Sequence, residues 1–120
     1  LNMPAKKTGA SIIGRATEHY NQKPVRRIEI PEWGDDEGPL VVFSEPFTLR
    51  DQGKISTITK NQPESEVLAE LLVMKLIDDQ GNKVFTVEDK QALRTSVDAQ
   101  VVARVANQIM GVNEEELEKN

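Results

Sequence analysis

Apolar and polar positions alternate over residues 25–44, which is the pattern of a β-strand with one buried face. Ile28 and Ile30 alternate with charged residues, and a second apolar run, LVVF, follows further along. The segment between them, residues 33–39, is rich in glycine, aspartate and other turn formers. The pattern predicts a β-hairpin with a loop of about five residues. Pro31 lacks an amide hydrogen, so it fits an edge strand.

Two helices are predicted after the hairpin. Residues 48–61 open with Thr48-x-x-Asp51, the spacing of a capping box, although an internal glycine and a β-branched run weaken the helical pattern. Residues 63–77 are apolar on nearly every side, and Pro63 suits the first position of a helix. A helix of that kind is surrounded by other elements. We therefore expect it to be the core helix, with four leucines in the core: Leu68, Leu71, Leu72 and Leu76.

Three more short helices are predicted in the C-terminal part of the chain. Thr86-x-x-Asp89 is a second cap and starts a short helix. Ser96 caps a longer helix, whose valines are spaced for one face and which stops at Gly111. Asn113 and the glutamates after it begin a last, acidic helix. The predicted fold is α+β and mostly α, with one N-terminal β-hairpin packed on a bundle of four to five short helices.

The net charge of −5 over 120 residues is unevenly distributed. Residues 1–30 carry +4, whereas residues 31–120 carry −9. Residues 1–24 show no sustained hydrophobic period, which predicts an extended, flexible basic N-terminal arm followed by a single α+β domain over residues 25–120. The acidic body repels a phosphate backbone, so nucleic acid is not an expected partner. The basic arm by itself is open to two interpretations. It is either a solvated tail, or the segment with which a small regulatory protein contacts nucleic acid.

The composition leaves little for catalysis or metal binding. The chain has no cysteine, and His19 is the one histidine, which excludes thiol catalysis and two-histidine metal sites within one chain. The acidic clusters at residues 35–37 and 78–79 lie in predicted turns, where aspartate bonds to its own backbone. No apolar run approaches the ~20 residues of a membrane span, and no signal peptide is readable. We expect a cytoplasmic protein that is not an enzyme and has no cofactor or metal.

The single tryptophan, Trp33, allows two interpretations. In a regular pleat its side chain lies on the opposite strand face from Ile28 and Ile30. It either fills the gap between the hairpin and the helices or stands exposed as an anchor for a partner. The sequence leaves both open.

The order and spacing of several segments resemble the tail assembly chaperones of long-tailed, lambda-like siphophages. The similarity spans residues 25–120 and leaves the basic arm outside it. No single motif carries it. In chain order, the segments that do are IEIPEWG at 28–34, PFTLR at 46–50, DDQGNKVFT at 78–86, the Ala/Val helix at 96–111 and the acidic close at 113–120.

The resemblance implies a non-enzymatic protein of the host cell cytoplasm that is absent from the mature virion. Its implied partners are the tape measure protein, which sets tail length and has to stay soluble, and the tail tube subunits that polymerise around it. Self-association is also implied. The family has no catalytic or metal-binding residues, and the loop at Glu32, Trp33 and Gly34 becomes the candidate protein-contact surface. A structural tail or connector subunit of the virion is the alternative from another class.

Overall fold

The computed structural model describes residues 9–111, and its first element is a helix. Helix α1 spans Gly9–Gln22, where the sequence predicts an extended arm. Ile12 and Ile13 of α1 are 53% and 65% exposed, and none of its described residues belongs to the hydrophobic core. The prediction of an extended chain is wrong for this segment: a helix needs no sustained hydrophobic period to satisfy its backbone hydrogen bonds. The division into an arm and one domain stays a prediction.

The predicted hairpin is present and forms the first two strands of a sheet. Strand β1 spans Arg26–Asp35 and strand β2 spans Gly38–Ser44, and they run antiparallel with Ile28 opposite Val42. Two residues connect the strands, so the predicted loop of about five residues is too long. Most of the turn-forming residues that suggested a longer loop belong to the strands instead: Gly34 and Asp35 to β1, and Gly38 and Pro39 to β2. Strand β1 continues past Ile30 with a shift in register.

A short third strand, β3 (Leu76–Ile77), pairs antiparallel with β2 and completes the order β1-β2-β3. The prediction of one helix over residues 63–77 is wrong at its end, since the helix stops at Lys75. An apolar run alone does not distinguish a buried helix from a buried strand. Asp78 holds the chain in a turn after β3, because its carboxylate accepts from two backbone N–H groups at 2.8 and 2.9 Å.

Helices α2 (Leu49–Asn61) and α3 (Glu64–Lys75) follow the hairpin. The capping box predicted for α2 is confirmed. The Thr48 hydroxyl accepts from the Asp51 N–H at 3.1 Å, and the Asp51 carboxylate accepts from the Thr48 N–H at 3.0 Å. Pro63 is the N-cap of α3 rather than its first helical residue.

A single 3₁₀ turn, Val87–Asp89, leads into α4 (Lys90–Thr95), and α5 (Ala99–Ile109) is the last described helix. Thr86 and Asp89 form the second capping box, as predicted. Both predicted boxes therefore start helical segments at the expected residues.

The N-cap of α5 is Asp98, and the prediction of Ser96 is wrong. The Asp98 carboxylate accepts from the Gln100 N–H at 2.7 Å. Ser96 ends α4 instead, since its N–H donates to the Ala92 carbonyl at 2.8 Å. After α5, Gly111 takes a φ of +87°, the left-handed conformation expected of a glycine that ends a helix. The acidic helix predicted from residue 113 lies outside the described residues.

The core lies between the sheet and the helices, with α3 and α5 packed together and α5 packed on β1. Within residues 9–111 there are five α-helices and three strands, so the fold is α+β and mostly α, as predicted. Of the four leucines expected in the core, Leu71 and Leu72 are buried in α3, Leu76 is buried in β3, and Leu68 is half-buried at the edge. The largest fully buried side chains come from both layers: Ile28, Ile30, Val42, Leu72, Leu76 and Val105.

Ion pairs join α2, α3 and α4. The Glu70 carboxylate, on a residue only 5% exposed, lies 2.9 Å from Lys54 of α2 and 2.8 Å from Lys90 of α4. Glu66, one turn earlier on α3, lies 2.7 Å from Lys90 and 3.3 Å from Arg94. Burial pushes the pKa of Glu70 upward, but hydrogen bonds from Lys90 and Lys54 hold it below its usual value. The hydrogen bond from Lys90 likewise lowers the pKa of Glu66.

Lys75 is a buried cation in the last turn of α3, with 3% of the residue exposed. Its Nζ donates to Asp51 Oδ2 at 2.8 Å and to the Pro46 carbonyl at 3.0 Å, and it lies 5.2 Å from the centre of the Phe47 ring. Tyr20 donates to the same carbonyl oxygen at 2.7 Å, which joins α1 to the rest of the fold. Removing one partner of such a buried pair leaves an uncompensated charge, which costs about 3–5 kcal/mol.

We predict that acid destabilises the fold through these carboxylates. The pKa values of Glu66, Glu70 and Asp51 are lower in the folded chain than their ordinary values of 4.5 and 3.8. The folded state therefore binds protons less readily than the unfolded state, so the stabilisation is present above pH 4.5 and is lost as the pH falls through and below that range. Urea unfolding at a series of pH values, followed by circular dichroism, measures the loss.

Glu70→Gln is the matched control for the acid prediction. It keeps the shape of the side chain but removes the titrating group, so the free energy of unfolding should depend less steeply on pH between 3 and 5, about the range in which carboxylates titrate. The slope, rather than the overall stability of the variant, is the quantity to compare. An unchanged slope would contradict the assignment to this cluster.

Candidate protein-binding surface

An open apolar groove lies beside the turn end of the hairpin. We call it the Trp33 groove; its volume is about 350 Å³ and its wall consists almost wholly of apolar atoms. Leu93 is buried, and the other lining side chains are half-buried. An open groove with apolar walls that stay in contact with water is a candidate site for another chain. Six side chains form the groove: Trp33 of β1, Leu40 of β2, Val84 and Phe85 after β3, Leu93 of α4 and Val97 before α5.

Trp33 reaches this groove because β1 is irregular. A regular pleat would turn its side chain away from the face of Ile28 and Ile30, but the register between β1 and β2 shifts between Ile30 and Asp35. The indole packs edge-on against Phe85, with ring centres 6.1 Å apart and ring planes at 89°. Trp33 therefore packs against the core while part of its surface lines the groove.

Glu32, next to Trp33, is held by Arg104 of α5. The two terminal nitrogens of the guanidinium donate to the two carboxylate oxygens at 2.8 and 2.6 Å. The hydrogen bonds from Arg104 lower the pKa of Glu32 to about 2, so the carboxylate is ionised at neutral pH. Glu32 thus joins β1 to α5 beside the groove, and the guanidinium of Arg104 compensates much of its negative charge.

Gly34 allows the two strands of the hairpin to approach closely, because it has no side chain. A Cβ atom at this position would lie 2.2 Å from the Gly38 carbonyl oxygen and 2.7 Å from the Cα of Pro39. Both atoms belong to the backbone, so they do not move aside as the end of a flexible side chain would. Of the three residues in the predicted contact loop, only Trp33 lines the groove. Glu32 and Gly34 hold the strand that carries it.

A second apolar groove, which sequence reasoning missed, lies at the other end of α5. We call it the Phe47 groove; its volume is about 340 Å³, and Phe47, Gln52, Ile55, Ser56 and Met110 line it. Four of the lining residues lie within 47–56, but Met110 comes from the end of α5, so no local pattern indicates the complete groove. None of the residues of α2 is buried, which leaves Ile55 available to line the groove, and this exposure is visible only in the folded chain.

Little in the described structure points to metal or membrane chemistry. Within residues 9–111 no group of three or more histidine or acidic side chains converges as a metal site requires. The acidic turns are engaged locally: Asp35 accepts from the Glu37 N–H at 2.9 Å, and Asp78 binds its own turn. Among the described helices, none combines the length and the apolar character needed to cross a membrane.

A hairpin packed on short helices is also the fold of a phage tail assembly chaperone. The solved structure that shows this is that of the bacteriophage HK97 tail assembly chaperone. It matches with a TM-score of 0.53 and 17% sequence identity, over 84% of this chain and 96% of that chain. No protein-family model matches the sequence, and no curated protein matches it. At this identity the likeness shows a shared fold.

We predict that Gly34→Ala destabilises the fold by about 1–3 kcal/mol, because the new methyl group forces the hairpin strands apart. Gly53→Ala is the matched control. Gly53 lies inside α2 with nothing within 4 Å of an added Cβ, and replacing it should stabilise the fold by about 0.5–1 kcal/mol. Urea unfolding of both variants gives the two values. If Gly34→Ala is neutral, the close approach does not constrain the strand that carries Trp33.

Proposed function

We propose that this protein is a tail assembly chaperone. It binds the tape measure protein of a phage tail, keeps it soluble in the host cytoplasm and helps to recruit tail tube subunits. It also associates with itself, and it is absent from the mature virion. The observation that carries the proposal is the fold shared with the HK97 tail assembly chaperone, together with the Trp33 groove on its surface.

The chemistry of the groove supports a binding role. A long partner with exposed apolar side chains aggregates unless those side chains are covered, and an open apolar groove covers them without any covalent step. Trp33 and Phe85 are large aromatic side chains of the kind that contribute most to binding at interfaces.

The modest size of the groove supports reversible binding. Five of its six side chains are already half-buried, so a partner gains less burial here than across a permanent subunit interface. Limited burial suits a chaperone whose partner has to be handed on to the tail tube.

The first test is solubility on co-expression. We expect the tape measure protein of the same phage to be insoluble alone, and to become soluble and to copurify when this full-length chain is expressed with it. A small acidic protein without apolar grooves, expressed at the same level, is the control and should leave the tape measure insoluble. If this chain performs no better than the control, the proposed function is wrong.

A second test separates the chaperone from a structural tail or connector subunit. Mass spectrometry of infected cells and of purified particles should detect the protein in the cells and not in the particles. A stoichiometric amount in purified particles would instead identify a virion subunit, since such a subunit remains in the finished structure.

A further inference from the structure

We propose that the Trp33 groove receives an amphipathic helix whose apolar stripe is flanked by lysine and arginine. The proposal rests on the proposed function, since it states the chemistry of the tape measure segment that binds and where it binds. Two features of the groove carry it: the nature of its wall and the charge around its rim.

The wall of the groove selects a helix over an extended strand. Side chains from β1, β2, α4 and two connecting segments form it, and almost no polar atom is exposed there. A partner entering the groove therefore finds few backbone groups to bond with. An extended segment would bury its own N–H and C=O groups unpaired, which is unfavourable. A helix pairs those groups internally and presents only side chains, which is the helix-in-groove mode of recognition.

The rim of the groove is acidic. A second hollow adjoins the groove, and Trp33 and Leu40 line both of them. Asp35 and Glu37 line this second hollow. Asp98 directly follows Val97, which lines the groove on the α5 side. All three acidic residues are exposed. Among the described residues, none of the three forms a salt bridge with a basic side chain.

The basic side chains near the groove are neutralised within the protein. Lys83, which precedes Val84, lies 3.9 Å from Glu45, and its Nζ also donates to a backbone carbonyl. Lys90 and Arg94, on either side of Leu93, pair with acidic residues of α3. The charge left uncompensated around the groove is therefore negative. A helix with basic flanks gains from this field, and one with acidic flanks is repelled by it.

The single tryptophan of the chain provides the measurement, because it lies in the groove. The full-length protein is titrated with two synthetic helical peptides that share one leucine stripe and differ only in their flanks, lysine and arginine in one and glutamate in the other. We expect the basic peptide to shift Trp33 emission to the blue and to bind about tenfold more tightly at low salt. Added salt should reduce this difference, since it screens exposed charges.

Two pairs of variants localise the binding. Val97→Lys places a cation in the groove, and its control is Val25→Lys, at the opposite end of the hairpin and 43% exposed. Glu37→Lys changes the rim, and its control is Glu18→Lys, the same exchange on α1. We expect Val97→Lys and Glu37→Lys each to weaken binding of the basic peptide several-fold, and the two controls to bind as the unchanged protein does. Circular dichroism verifies that each variant folds.

Equal affinity for the two peptides, or loss of binding in the controls alone, would overturn the proposal. So would concentration-dependent self-association that Val97→Lys abolishes, since the groove would then be occupied by a second copy of this chain. The same variants are co-expressed with the tape measure protein. If Val97→Lys keeps it soluble as the unchanged protein does, the groove assignment fails and the proposed function stands. If the unchanged protein does not solubilise it, the proposed function fails, whatever the peptides show.

Discussion

The fold depends on covering α3. Apolar side chains on nearly all sides of this helix would be exposed in water on their own, so α2, α4, α5 and the sheet pack around it. Burying α3 also buries Glu70 and Lys75. Each of these charges then requires partners from the surrounding elements, and the ion pairs that result fix where α2 and α4 lie. Hydrophobic burial thus provides the driving force, and the two enclosed charges give it geometric specificity.

The sequence predicts much of this arrangement, wherever the pattern depends only on residues close together in the chain. Thr48 with Asp51 and Thr86 with Asp89 mark helix starts because a capping box involves only one turn of chain. The alternation at Ile28 and Ile30 indicates a strand for the same reason. The end of α3 was not readable, because the residues after Lys75 are apolar in either conformation and only pairing with β2 makes them a strand.

The candidate site was predicted in part. The loop at Glu32, Trp33 and Gly34 was singled out, but the sequence could not show that a register shift turns Trp33 toward Phe85. Nor could it show that Arg104, seventy-two residues away, engages Glu32. The Phe47 groove stayed hidden, because its walls meet only in the folded chain.

The carbonyl oxygen of Pro46 accepts two hydrogen bonds that join different parts of the fold. It accepts from Tyr20 on one side and from the Lys75 ammonium on the other, as the two lone pairs of a carbonyl allow. If the tyrosine withdraws, the ammonium still has the carbonyl and Asp51, so the loss is that of one neutral hydrogen bond, about 1 kcal/mol. The cation at the end of α3 therefore keeps its two partners, the Pro46 carbonyl and Asp51, whether or not the N-terminal helix is docked.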